Sequence, residues 1–175
     1  MYRLGRPIGD LVGICASELR NYIVRPTLEQ LGEWSPSMET LLLGTAAQVS
    51  GFGFHINHKR GFGIFKIDSQ THKDVWDTFL AFDPDRASFV RGLASQREFL
   101  KEPDLELITN LTYATAIAWG VYASQHVKLP DDPSDIQAFA EIWYRLYPRE
   151  DITETPADFI ESYRKYVSEG PKLVA

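Results

Sequence analysis

The residues whose types could do chemistry are few and loosely spaced. His55-Ile56-Asn57-His58 sets two imidazoles three residues apart in a glycine-flanked loop. A helical metal pair uses a four-residue step, and no cysteine or carboxylate pattern lies nearby. The segment therefore reads as a polar loop running into Lys59 and Arg60, with no metal and no other cofactor expected. Ser50 and His72 could be drawn into a Ser-His-Asp set, but nothing in their spacing selects them. Gly61-Phe62-Gly63 lacks the third glycine and the Lys-Ser/Thr step of a phosphate-binding loop. Cys15 is the one cysteine, so no intrachain disulfide can form, and its apolar run, Leu11 to Ala16, suggests a buried, inert thiol. Among the carboxylates, Asp68 reads as a helix cap, and Glu98 beside Arg97 as a solvated helix face. Phe52, Phe54, Phe62 and Phe65 read as core.

The elements that must position these groups are mostly helical by periodicity. Ile8, Leu11, Val12, Cys15, Leu19, Tyr22 and Ile23 mark one side of a helix near residues 8–25, which Pro26 ends. Thr27 to Leu31 forms a short helical piece, closed by Gly32. Ser35 as N-cap and Pro36 at the first helical position start the next helix, which runs to about Val49. Gly51, Gly53, Gly61 and Gly63 punctuate a hairpin-like loop, and Ile64 to Ile67 is the best strand candidate. Asp68 or Ser69 caps a helix carrying Val75, Trp76, Phe79 and Leu80. Asp83-Pro84 opens another, with Phe89, Val90, Leu93 and Phe99 facing inward. Pro103 opens the longest apolar helix, Leu105 to about Gln125. Asp132 or Ser134 caps a helix through Tyr147, and Thr155-Pro156 starts a last one, with Gly170 as its stop. The expectation is a mainly α fold of about seven helices in a single domain, with a small β-hairpin element near residues 52–67.

The bulk numbers fit that picture. A chain of 175 residues can bury a full core in one domain. A net charge of −6 argues against nucleic-acid binding and gives no steering toward anionic polymers. Met1-Tyr2-Arg3-Leu4-Gly5-Arg6 carries basic residues with no apolar stretch behind them, so no signal peptide is expected. No apolar run approaches the roughly 20 residues of a membrane span. The expectation is synthesis in a reducing cytoplasm without export by its own signal.

One stretch adds a resemblance. Leu41-Leu42-Leu43-Gly44-Thr45-Ala46-Ala47-Gln48-Val49-Ser50-Gly51-Phe52-Gly53, followed by Gly61-Phe62-Gly63-Ile64-Phe65-Lys66-Ile67, resembles the active-site core of lysozyme-like lytic transglycosylases, especially a group of phage proteins. Thr71 to Trp76, Arg91 to Arg97 and Asn110 to Ala116 extend the likeness. In that superfamily a glutamate at the helix end protonates the glycosidic oxygen, with its pKa raised by desolvation. The resemblance puts Val49 in the glutamate's place, Lys66 in that of a glutamine, and Pro148 in that of an asparagine. It implies a lysozyme-like domain over 35–170, a helical segment 1–34 outside the likeness, and a tail 171–175. Its cleft would be lined by Gln48, Ser50, Gly63, Phe65, Tyr113, Tyr144 and Tyr147.

Three departures at the three positions that carry the family's function imply a pseudoenzyme. The expected role is structural: a phage virion protein of the tail or head–tail junction, assembled in the host with other virion proteins as a homo-oligomer. Residues 1–34 and the tail would contribute to the contacts between subunits. The alternatives are an active peptidoglycan-degrading enzyme with an unrecognised acid, and a module that binds peptidoglycan without cleaving it.

Overall fold

The structure, a computed structural model, describes residues 13–58, 61–148 and 151–169. The expected helix start at Ile8 to Val12, the pair Lys59 and Arg60, the stop at Gly170 and the tail lie outside the described residues. So do the side chains of Asn57, His58 and Glu98. The fold is mainly helical with one small β element, as the periodicity predicts. No helix among the described residues is long and apolar enough to cross a membrane.

The first helix, α1, is a single rod made of Ala16–Leu19, a π-helical turn Arg20–Val24, and Arg25–Leu31. Pro26 does not end it, contrary to the sequence reading. The N–H of Arg25 reaches back five residues to the carbonyl of Arg20. This widened turn comes just before the proline, where an α-helical carbonyl would meet its ring. The Thr27 hydroxyl then donates to the Ile23 carbonyl at 2.6 Å. Cys15, expected to be buried, is half-exposed just ahead of this rod. A hydrogen bond from Ser17 lowers its thiol pKa.

Helix α2, Pro36–Ser50, is the centre of the molecule. Ser35 caps it by accepting the Met38 N–H at 3.1 Å. Every residue from Ser37 to Ala47 is buried, so no face of this stretch is left for water. Gly44 has a specific reason to lack a side chain, because a Cβ there would lie 2.2 Å from the ring of Phe159. Phe159 belongs to α9, which comprises Pro156–Tyr163 and a π-helical turn Arg164–Ser168 and opens on a capping box between Thr155 and Asp158.

The hairpin pairs β1, Asn57–His58, with β2, Gly61–Phe62, and Phe62 also bridges Ile67. Ile64 to Ile67 is therefore not the strand that the sequence suggests. Gly63 (φ 74°) and Lys66 (φ 50°) fold the segment into a turn. Ile64, Phe65 and Ile67 all enter the core instead of alternating across a pleat.

Beyond it, α3 runs through Ser69–Asp74, a π-helical turn Val75–Phe79 and a tight turn Leu80–Phe82. Asp68 caps it by accepting the Thr71 N–H at 2.8 Å. Helix α4, Pro84–Leu93, is capped by Asp83, and Phe99 lies beyond it in a separate short helix α5, Gln96–Phe99.

The expected long helix from Leu105 to Gln125 is broken at Asn110. Helix α6 covers Leu105–Thr109 and α7 covers Leu111–Ala123. Asn110 leaves helical geometry (φ −126°, ψ 96°) to accept the Tyr113 N–H at 3.0 Å. Its amide donates to the Leu93 carbonyl and to Glu106. A short polar side chain with local partners competes well with helix continuation. Helix α8, Ile136–Leu146, is capped by Asp135 rather than by Asp132 or Ser134, which instead bond to each other in the preceding turn.

The core joins α1, α2 and α7. Leu19, Val24 and Leu28 of α1 are fully buried in it, so residues from Ala16 onward in the segment set apart by sequence pack within the same domain. One buried acid ties α1 to α2. Glu39 accepts the Arg25 guanidinium at 2.8 and 3.0 Å and the Trp34 indole N–H at 2.9 Å, with Arg20 at 3.2 Å. Burial pushes the Glu39 carboxyl pKa up, but the hydrogen bonds and the two arginine charges outweigh it and leave it lowered.

A lowered native pKa stabilises the fold above the unfolded value of about 4.3 and loses that contribution as pH falls through the native value. Denaturant midpoints followed down through that range should fall, and Glu39→Gln should flatten the dependence while lowering the midpoint near neutrality. Phe159→Ala should cost about 3–5 kcal/mol in the same assay by emptying the space over Gly44.

Candidate functional site

The site implied by the resemblance starts at the C-terminal end of α2, where Gly51 (φ 56°) turns the chain. Val49 is half-buried against the core. The Ser50 hydroxyl donates to the Ile64 carbonyl at 2.6 Å and accepts the Gly53 N–H at 2.9 Å. The helix end is thereby fastened to the turn that follows β2. The expected adjacency of helix end and hairpin segment is present.

The structure does not gather the expected cleft residues around one cavity. Phe65 and Tyr113 are 0% exposed, and Tyr147 and Ser50 are buried. Tyr147 donates its hydroxyl to the Phe65 carbonyl at 2.6 Å and stacks on Tyr122, with ring centroids 5.4 Å apart. Tyr122 in turn meets the Thr45 hydroxyl at 2.7 Å. Burial pushes both phenol pKa values well up, so they stay protonated. Gly63 serves packing: a Cβ there would stand 1.7 Å from the Leu107 carbonyl oxygen.

The remaining members lie apart. The Gln48 amide donates to Glu154 at 2.9 Å and accepts the Ser162 hydroxyl at 2.6 Å, at the edge of a depression that also includes Asp151 and Asp158. Pro148 borders a different depression, with Thr71, Asp74 and Arg145. Tyr144 is exposed on α8, and Lys66 is half-buried in its left-handed turn. Of the phenylalanines assigned to the core, Phe52 and Phe65 are buried and Phe62 is half-buried, whereas Phe54 is exposed beside the ring of His55.

Sequence reasoning missed a polar chain that runs from the surface at Ser69 and Asp104 into the core at His72 and Tyr113. The Trp76 indole N–H donates to the Tyr113 hydroxyl oxygen at 2.9 Å. Tyr113 meets His72 Nε2 at 2.7 Å, and His72 Nδ1 meets Asp104 at 2.7 Å. The Ser69 hydroxyl donates to the other Asp104 oxygen at 2.6 Å. Every donor is used if the phenol proton points to Nε2 and the imidazole proton, on Nδ1, to Asp104. An acid–imidazole–hydroxyl order of this kind can activate a nucleophile. Here His72 is 3% exposed and Tyr113 fully buried, so no substrate reaches the hydroxyl. The chain is a structural clasp between α3 and α7. Ser69, His72 and Trp76 share one helical face and could have been grouped from spacing. Asp104 and Tyr113 come from other elements, and no spacing points to them.

Among the described residues, no three of His, Cys, Asp and Glu gather as a metal site. The chain matches no known family model, no curated protein and no solved structure.

Tyr113→Phe should cost about 1–3 kcal/mol, because it leaves the His72 and Trp76 nitrogens without their shared partner. Gly63→Ala should cost at least as much, since both its φ and the Leu107 carbonyl oppose a side chain. Urea unfolding of each variant checks both.

Proposed function

We propose that this chain is a structural component of a phage virion, in the tail or at the head–tail junction, with a degenerate lysozyme-like fold that does not cleave glycan. The observation that carries the reading is the helix end itself. Val49 occupies the position where the resemblance requires the acid, and its neighbours are committed to holding the fold. Ser50 fastens the turn, while Phe65, Tyr113 and Tyr147 fill the core. A valine has no proton to deliver to a leaving oxygen. General acid catalysis alone is worth roughly 10²–10⁴-fold, and nothing apolar replaces it.

The protein should be found in purified particles, and a peptidoglycan suspension should not clear when the purified chain is added. Val49→Glu alone should restore little. The new carboxylate would stand at a half-buried helix end where Ser50, Phe65 and Tyr147, expected to line a cleft, are tied into the interior and give a glycan no cleft wall. Adding Lys66→Gln and Pro148→Asn to Val49→Glu should restore little more, because Pro148 borders a different depression and the remaining expected cleft residues fill the core. Clearing of the suspension by the unmodified chain, unchanged in Val49→Ala, would sink the proposal in favour of a glycan-cleaving enzyme. Retention on insoluble peptidoglycan without clearing would favour a binding module instead.

A further inference from the structure

We infer that the depression at the N-terminal end of α2 is a binding site for an uncharged polyhydroxylated ring, a hexose unit being the type. It measures about 490 Å³, within the range of small-ligand sites. Trp34 and Phe79 give it aromatic surface over the buried Trp119, and Glu33, Arg86 and His126 give it polar edges. Met38 also borders it. From Met38 to Val49 is eleven helical steps, about 16 Å of helix axis. The site is therefore separate from the degenerate one and does not depend on the virion role.

The aromatic element is held in place before any ligand arrives. Trp34 sits in the link between α1 and α2 and is 41% exposed. Its indole N–H is already taken by Glu39 at 2.9 Å, and the Arg25 guanidinium stands 5.5 Å from its ring centroid. What Trp34 still offers is apolar ring surface in a fixed orientation, so little ordering entropy is left to lose on binding. Trp119 is buried and acts as backing. The Arg86 guanidinium lies 5.4 Å from its ring centroid, and Phe79 packs against it at 5.5 Å.

The polar edge selects the ligand's charge. Arg86 is paired with Glu33, and its Nε is 3.5 Å from Asp83. An anion would have to displace Glu33, and a cation would have to displace Arg86. A hydroxyl both donates and accepts, so two neighbouring hydroxyls can bond to the carboxylate and the guanidinium while the pair stays intact. A flat hydrocarbon would cover Trp34 but desolvate the ion pair without replacing its water bonds, which is costly. A sugar ring has both surfaces needed: an apolar C–H face for Trp34 and hydroxyls for Glu33 and Arg86.

The test follows the indole N–H NMR signals of the four tryptophans in the full chain. Glucose, N-acetylglucosamine and maltotriose serve as neutral probes. Glucuronate and glucosamine are the charged counterparts, and benzyl alcohol is the apolar one. At least one neutral sugar should give saturable shifts at Trp34 and Trp119, with Trp76 and Trp143 still, and a Kd near or below about 1 mM. The charged sugars and benzyl alcohol should bind at least about tenfold more weakly, a difference near one hydrogen bond. Trp34→Ala should weaken binding by a similar factor while the other three indole signals keep their positions without ligand, which shows the fold intact. Arg86→Lys keeps the charge but loses the planar fork, and should also weaken it. The inference is overturned if no neutral sugar shifts Trp34 saturably, if a charged sugar or benzyl alcohol binds tighter than every neutral one, or if Trp34→Ala leaves the affinity unchanged.

Discussion

Helix α2 is buried on every side from Ser37 to Ala47, and the need to give each polar group it carries into the interior a partner organises the rest of the molecule. At its N-terminal end Ser35 caps the first turn, and Glu39 collects Arg20, Arg25 and Trp34. At its C-terminal end Ser50 joins the Ile64 carbonyl to the Gly53 N–H. The first set of bonds fixes α1 and the link behind it. The second fixes the hairpin and the turn after it. Gly44 in the middle admits Phe159, which seats α9. Three separate parts of the chain thus take their positions from one helix, through one acid, one hydroxyl and one missing side chain.

The same commitments explain why the expected cleft is not a cleft. Phe65, Tyr113 and Tyr147 lie where the resemblance would place substrate contacts, but each is tied into the interior. Tyr147 holds the Phe65 carbonyl, and Tyr113 holds His72 and Trp76. Desolvation keeps the phenols protonated, so they act as neutral donors that close gaps in the backbone and side-chain accounting. A helix end fastened in this way is rigid whatever residue occupies position 49.

What could be read from the sequence was local. Ser35, Asp68, Asp83 and Thr155 announce helix starts because a cap depends on residues three positions away. Where tertiary partners decide, reading failed. Asn110 breaks a helix because Leu93 and Glu106 are there to bond it. Ile64 to Ile67 looks like a strand by composition, yet the core beneath it takes all three apolar side chains. In the candidate site, the contact between helix end and hairpin was legible from the order of helix, glycine and apolar segment. The burial of the tyrosines was not, because a tyrosine on an amphipathic pattern suits a cleft wall and a core equally well.

The π-helical turn Arg20–Val24 has one more consequence, for the lengths that this helix tolerates. A π turn takes up an extra residue without lengthening the path around the core. Removing one residue there would return the rod to regular winding and leave the faces on either side in phase, because the widened turn already absorbs the surplus residue. Leu19 before the turn and Leu28 beyond it, both fully buried, would keep their seats. Removing a residue from the regular winding after the turn would instead rotate everything before it by about 100° and swing Leu19 away from the core. The rod thus has one place where its chain length can change by a residue without moving its buried face.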